Sequence, residues 1–203
     1  MPEPLTMLPY PNTIFLTGAT GYVGGSLLVS LVRTYSLAKI TALVRNPEDL
    51  SAVSGVGHSV HAILGSHVDK ELIIEEVSKA ELVIQLSNPD DLLFIQSIVA
   101  GLKLHKERTG NRPLYFHATG TFTYADKITG ELQREYVPWD DTEKPRLRDM
   151  VDIDAPHRIV DLEAIKVHEE NIADVHLICP PTVYGVGTGP VRRTSTFIPY
   201  AMS

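Results

Sequence analysis

A glycine-rich segment near the N-terminus constrains the fold more than any other feature, because it joins an apolar run to a stretch of helical character. The segment reads Thr17-Gly18-Ala19-Thr20-Gly21-Tyr22-Val23-Gly24. In such a segment the first glycine permits a tight turn, the second lets a phosphate approach the backbone, and the third lets helix and strand pack closely. A helix that begins there directs unpaired N–H groups and a partial positive charge towards an anion. The sequence therefore predicts a strand–turn–helix unit that binds a nucleotide.

Short runs rich in Ile, Val and Leu alternate with longer segments of mixed polarity along the rest of the chain. This pattern is typical of parallel strands that are covered on both faces by crossover helices. The predicted strands are Thr13–Thr17, Ile40–Val44, Val60–Leu64, Leu82–Leu86, Leu114–His117 and Val175–Cys179. The predicted helices are Tyr22–Thr34, Lys70–Lys79, Asp90–Glu107 and His157–Ile172. The sequence predicts an α/β fold with a Rossmann-type, doubly wound parallel sheet in a three-layer αβα arrangement.

Length and charge restrict the partners of this chain. Its 203 residues, 43% of them hydrophobic, are enough for a single domain, which we expect to span residues 1–203. The net charge of −7 argues against nucleic acid or anionic lipid as a partner and favours a small molecule. We expect a cytoplasmic protein, because the chain has no membrane-spanning run or signal peptide, a single cysteine, and no Asn-x-Ser/Thr acceptor.

The Gly-x-x-Gly-x-x-Gly spacing, preceded by Thr17, resembles that of the extended and atypical short-chain dehydrogenases/reductases, which include nucleotide-sugar epimerases and dehydratases. The segment Cys179-Pro180-Pro181-Thr182-Val183-Tyr184-Gly185 resembles the Pro-x-x-Val-Tyr-Gly segment that lies beside the nicotinamide in that family. The resemblance implies an NAD(P) cofactor. Its predicted contacts are Thr17, Gly18, Thr20, Gly21, Tyr22, Val23, Gly24, Arg45, Ser87, Pro180, Thr182 and Val183.

Arg45 indicates which dinucleotide is bound. It follows the second predicted strand, where NAD-preferring members of the family carry an acidic residue for the ribose 2′-hydroxyl. A guanidinium instead suits a 2′-phosphate, so the sequence predicts NADP, with NAD as the alternative. A solvated surface arginine at a helix start is the other interpretation of this residue.

The catalytic residues of the family are only partly matched. Members use a Tyr that exchanges a proton with the substrate, a Lys four residues later that lowers its pKa, and a Ser or Thr that orients the carbonyl. Thr119 and Thr121 flank Gly120, which stands at the usual hydroxyl position. The Tyr-x-x-x-Lys pair is missing, and His157 and Asp161 occupy that spacing. His157 is a candidate general acid, with Asp161 as a partner that would raise its pKa, or else an ordinary residue at a helix start.

The resemblance predicts an NADP-dependent oxidoreductase or epimerase/dehydratase-like enzyme for a small carbonyl, hydroxyl or sugar-like substrate. The alternative is a non-catalytic NADP-binding sensor or interaction protein. We expect a tail over residues 1–12, a long polar loop over 124–156, and over 186–203 the start of a C-terminal substrate region that is truncated or reduced. No metal site is expected. A homodimer through the helices after the fourth and fifth strands is possible, since relatives pair in that way.

Overall fold

A computed structural model of the protein describes residues 10–124, 130 and 151–195. The strands are β1 (Thr13–Leu16), β2 (Lys39–Val44), β3 (Val60–Leu64), β4 (Leu82–Gln85), β5 (Leu114–Ala118) and β6 (Asp174–Ile178). The helices are α1 (Tyr22–Thr34), α2 (Leu50–Ser54), α3 (Lys70–Ser78), α4 (Leu92–Thr109) and α5 (Arg158–Glu169). Short 3₁₀ turns cover Pro47–Asp49 and Thr121–Tyr124.

The six strands form one parallel sheet in the order β3-β2-β1-β4-β5-β6. Ile14 of β1 lies opposite Ile40 on one side and Leu82 on the other, so the chain order reverses between β1 and β4. In doubly wound sheets ligands bind at the carboxyl ends of the strands beside such a reversal. The glycine-rich segment follows β1 directly and therefore lies at this point. The predicted fold class is confirmed.

Alternate residues of the central strands supply two separate cores. Phe15, Val83 and Tyr115 face the layer that contains α3, α4 and α5. Ile14 and Leu16 face the opposite layer, which contains α1 and α2. This period of two explains why the strands read as continuous apolar runs, because both of their faces are buried.

Helix α4, Leu92–Thr109, begins and ends two residues later than predicted, and it is capped at both ends. The Asp91 carboxylate accepts a hydrogen bond from the Phe94 N–H at 3.1 Å, which caps the N-terminus. Gly110 follows the last turn with φ of 74°, and its N–H donates to the Lys106 carbonyl. Only glycine enters this left-handed region without strain, so the chain leaves the helix there.

The predicted strands agree with the observed ones within one residue at each end, and α1 agrees at both ends. Helix α5 ends three residues earlier than predicted, because Asn171 is in a left-handed conformation and the Ile172 N–H donates back to the Val167 carbonyl. The sequence analysis did not predict α2. Residues 1–9 of the predicted tail, 125–129 and 131–150 of the predicted loop, and 196–203 of the predicted C-terminal region lie outside the described residues.

Candidate nucleotide site and active site

The glycine-rich turn is shaped by very close backbone contacts. Gly18 has φ of 76°, and a Cβ on it would lie 2.5 Å from the Leu86 carbonyl oxygen. A Cβ on Gly24 would overlap the Gly18 carbonyl oxygen, so only glycine lets the first turn of α1 pack against the end of β1. Gly21 precedes α1 as its N-cap. The turn therefore presents the start of α1, with its unpaired N–H groups, at the sheet reversal.

A cavity of about 630 Å³ opens in front of this turn. Such a volume is within the range of roughly 300–1,000 Å³ that is typical of small-molecule sites. The carboxyl ends of β1, β2, β3 and β4 all contribute to its walls. Its lining includes the predicted cofactor contacts Gly18, Thr20, Gly21, Arg45 and Ser87. These residues fit a nicotinamide dinucleotide, because the start of α1 offers backbone N–H donors to phosphate and Arg45 adds a guanidinium on the cavity wall.

Thr17 connects the segments after β1 and β4 that line the cavity. Its side chain is buried, and its hydroxyl lies 3.2 Å from the Ser87 hydroxyl. The Leu86 N–H also donates to the Thr17 hydroxyl, at 3.3 Å. Thr17 thus fastens the end of β1 to the end of β4, which holds the glycine turn and Ser87 at a fixed separation.

Other predicted cofactor contacts are not among the described residues that line the cavity. Val23 and Gly24 belong to α1, and Tyr22 uses its hydroxyl to donate to the Gly185 carbonyl at 3.1 Å. Pro180, Thr182 and Val183 follow β6 outside that lining.

His67 forms part of the cavity wall. Its ring stacks on Phe94 with centroids 3.9 Å apart and planes 4° from parallel. Its Nδ1 lies 3.0 Å from an Asp91 carboxylate oxygen. Asp69 accepts hydrogen bonds from the Ser66 N–H and hydroxyl at 2.7 and 2.9 Å. The segment after β3 is therefore held rigidly beside the cavity.

His157 is positioned by a partner that the sequence analysis missed. It precedes α5 with φ of 67°, a conformation that is strained for a residue with a side chain. Its Nδ1 lies 2.5 Å from an Asp90 carboxylate oxygen, and its Nε2 occupies the space that a Cβ on Gly120 would need. The expected partner, Asp161, instead turns into the protein. Asp90 was interpreted only as part of the start of α4, so its sequence context gave no signal for this contact.

Asp161, one helical turn after His157, belongs to a buried polar network. Its side chain is almost fully buried and accepts a hydrogen bond of 2.8 Å from the Thr119 hydroxyl. His117 Nε2 lies 3.4 Å from its other carboxylate oxygen, and His117 Nδ1 lies 2.8 Å from the Tyr115 hydroxyl. Burial, and secondarily the charge of Asp161, raise the pKa of Tyr115 far above its ordinary value, so the phenol stays neutral.

The two candidate hydroxyls differ in their surroundings. Thr119 is buried and its hydroxyl donates a hydrogen bond to Asp161, whereas Thr121 is exposed at the start of the 3₁₀ turn after β5. Cys179, just after β6, has its thiol pKa raised by burial and by the Asp161 charge, which disfavours the reactive thiolate. Across the described residues, no group of His, Cys, Asp and Glu side chains is arranged to hold a metal ion.

The comparisons with known proteins agree with this geometry. Residues 16–73 match the model of an NAD(P)-binding family described as male sterility protein. A curated Acremonium protein, described as oxidase ucsJ, is 26% identical over 194 residues, which cover 90% of this chain and 53% of that protein. The chain therefore spans about half the length of this relative.

Solved structures resemble the fold at low sequence identity. Vestitone reductase from alfalfa (Medicago sativa) superimposes with a TM-score of 0.58 at 13% identity, over 88% of this chain and 59% of that one. A yeast methylglyoxal/isovaleraldehyde reductase in complex with NADPH gives 0.55 at 14% identity, over 87% and 56%. The PbgP3 protein of Burkholderia pseudomallei gives 0.54 at 14% identity, over 92% and 65%.

The family-model match includes the glycine-rich segment, and together with the shared fold it supports the predicted resemblance to extended short-chain dehydrogenases/reductases. Arg45 follows β2 on the cavity wall, and His157 and Asp161 lie at the start of α5. None of the helices in the described ranges is long and apolar enough to cross a bilayer.

Proposed function

We propose that the protein is an NADP-dependent oxidoreductase or epimerase/dehydratase-like enzyme that acts on a small carbonyl, hydroxyl or sugar-like substrate. The observation that carries this proposal is the continuity between the cavity and the His157–Asp90 pair. Asn88 and Asp91 line the cavity, and Asp90 between them bonds to His157. One short turn therefore joins the nucleotide site to an imidazole, whose ring nitrogens can donate and accept a proton.

Arg45 supports NADP over NAD. Its guanidinium is exposed at the cavity wall after β2, where it would neutralise a ribose 2′-phosphate. The glycine turn would hold the pyrophosphate, because the start of α1 offers N–H donors there. The bound cofactor would supply or accept the hydride.

His157 is the proposed proton donor and acceptor. Asp90 accepts the Nδ1 proton, which fixes the ring orientation and leaves Nε2 as the atom that exchanges a proton with the substrate oxygen. Thr121 is the better candidate for orienting that oxygen, since the hydroxyl of Thr119 is already used by Asp161. Gly120, between them, leaves room for the imidazole.

The test combines binding and turnover. NADPH and NADH affinities are measured by fluorescence, and NADPH oxidation is followed with a panel of aldehydes, ketones and nucleotide sugars. We expect NADPH to bind more tightly, Arg45→Ala to weaken NADPH much more than NADH, and His157→Ala to lower turnover by about 10²–10⁴-fold, as loss of a general acid does. His61→Ala, an exposed histidine on β3, is the control and should keep its turnover.

Full turnover of His157→Ala would remove the catalytic role of this histidine, and equal losses of NADPH and NADH on Arg45→Ala would remove the 2′-phosphate assignment. A second function is favoured by Asp161, whose negative charge at the family's Lys position cannot lower the pKa of a neighbouring acid. Under it the protein senses NADP without turnover. Tight NADPH binding with no reaction across the substrate panel would support the sensor over the enzyme.

A further inference from the structure

A segment near the end of the described chain, Gly185–Thr194, crosses the first turn of α1, and we call it the clasp. Three hydrogen bonds attach it to the glycine turn and α1. Tyr22 donates to the Gly185 carbonyl at 3.1 Å, the Thr188 N–H donates to the Ser26 hydroxyl at 3.1 Å, and the Arg192 N–H donates to the Thr20 carbonyl at 3.3 Å.

The contact between clasp and helix is so close that two glycines are required. A Cβ on Gly25 would lie 3.0 Å from Gly189 Cα, and a Cβ on Gly189 would lie 2.9 Å from Gly25 Cα. Gly25 lies outside the glycine spacing that binds nucleotides, and its conformation is helical. The clasp and the Ala19 carbonyl oxygen both approach this position closely, which favours glycine there.

Hydrogen bonds within the clasp give its two arginines, Arg192 and Arg193, different roles. The Gly187 N–H donates to the Arg193 carbonyl at 2.7 Å, and Arg193 Nε donates to the Gly187 carbonyl at 3.0 Å. An antiparallel bridge joins Val186 to Thr194. Arg193 therefore closes the clasp, while its neighbours Val191 and Arg192 line the nucleotide cavity.

The charge of the cavity depends on Arg192. The residues that line the cavity include two acids, Asp49 and Asp91, and two arginines, Arg45 and Arg192. Without Arg192 the two carboxylates would face a single guanidinium, and the field would oppose an anionic ligand. Arg192 is joined through its backbone to Thr20, so it lies at the glycine turn, which the pyrophosphate would approach.

We propose that the clasp is a wall of the dinucleotide site and that Arg192 binds the pyrophosphate of the cofactor. This inference rests on the proposed NADP-binding function. Because the pyrophosphate is common to NADPH and NADH, Arg192 would contribute equally to both, whereas Arg45 would contribute to NADPH alone. Arg192 would therefore raise the affinity for either dinucleotide, and Arg45 would set the preference for NADPH over NADH.

The test measures the NADPH and NADH affinities of the full chain by fluorescence titration. Arg192→Ala should weaken both by about tenfold, the size expected for loss of a partly exposed charge-assisted hydrogen bond. Arg192→Lys should recover part of the loss, and the affinity of Arg192→Ala should fall less steeply with added NaCl than that of the unchanged protein. Arg33→Ala, an exposed arginine in the last turn of α1, is the charge-matched control and should bind both cofactors normally.

Normal affinity of Arg192→Ala for both cofactors would overturn the inference while leaving the proposed function intact. A loss of affinity for NADPH alone would also overturn it, because it would show that Arg192 contacts the 2′-phosphate instead of the pyrophosphate. Absence of binding by the unchanged protein would overturn the proposed function and this inference together. Gly189→Val, which should detach the clasp from α1, gives a second variant, and it should weaken both cofactors if the clasp is a wall of the site.

Discussion

Gly120 packs directly against the ring of His157. The resemblance seen in the sequence predicts a hydroxyl side chain there, and the imidazole of His157 fills the space that such a side chain would need. The two changes are coupled, since a side chain at position 120 and the observed His157 ring cannot coexist. A chain that kept the hydroxyl would need another position for the ring, and the Asp90 contact would be lost.

Gly120→Ala should therefore destabilise the protein by about 1–3 kcal/mol, the usual cost of overpacking. The same substitution in a His157→Ala background should cost much less, because the obstructing ring is gone. Urea denaturation of the two single variants and the double variant measures this coupling. An identical cost in both backgrounds would show that the alanine methyl meets something other than His157.

At the scale of elements, Asp91 serves two functions at once. Its carboxylate caps α4 through the Phe94 N–H and also lies against His67 on the cavity wall. The start of α4 is thereby connected to the segment after β3, and both border the nucleotide site. The neighbouring Asp90 bonds to His157. The single turn after β4 therefore contacts the start of α4, the cavity wall and the candidate proton donor.

Asp91→Ala should lower the free energy of unfolding by about 0.5–2 kcal/mol, the range measured for loss of an N-cap. Asp154→Ala is the matched control, because Asp154 is exposed and its backbone N–H makes the bond to Asp152. Chemical denaturation should leave the control within about 0.5 kcal/mol of the unchanged protein, as exposed substitutions usually do. Equal stability of the two variants would mean that the Phe94 N–H finds water as readily as the carboxylate.

At the scale of the whole molecule, the sheet separates two cores, and each depends on the packing of its own layer. Ile98 is fully buried on α4 within the larger core, between the sheet and its helices. Leu93 lies on the same helix but is 76% exposed. The contrast makes α4 a one-sided helix whose inner face stabilises the sheet.

Ile98→Ala should destabilise the protein by about 2–5 kcal/mol, because it removes buried methylenes and leaves a cavity. Leu93→Ala should change stability by about 0.5 kcal/mol or less. Thermal and urea denaturation of the two variants provide the comparison. A small loss for Ile98→Ala would indicate that the larger core collapses around the missing side chain.

The sequence by itself determined the sheet and the glycine turn, because these depend on local patterns. The apolar runs, the Gly18 turn and the Gly110 helix stop each depend on a few consecutive residues. The partners within the site were decided only by the tertiary structure. Asp90 and His157 are far apart in the chain, and so are Thr20 and Arg192. Their contacts exist because parallel strands and crossover helices bring distant loops to one edge of the sheet.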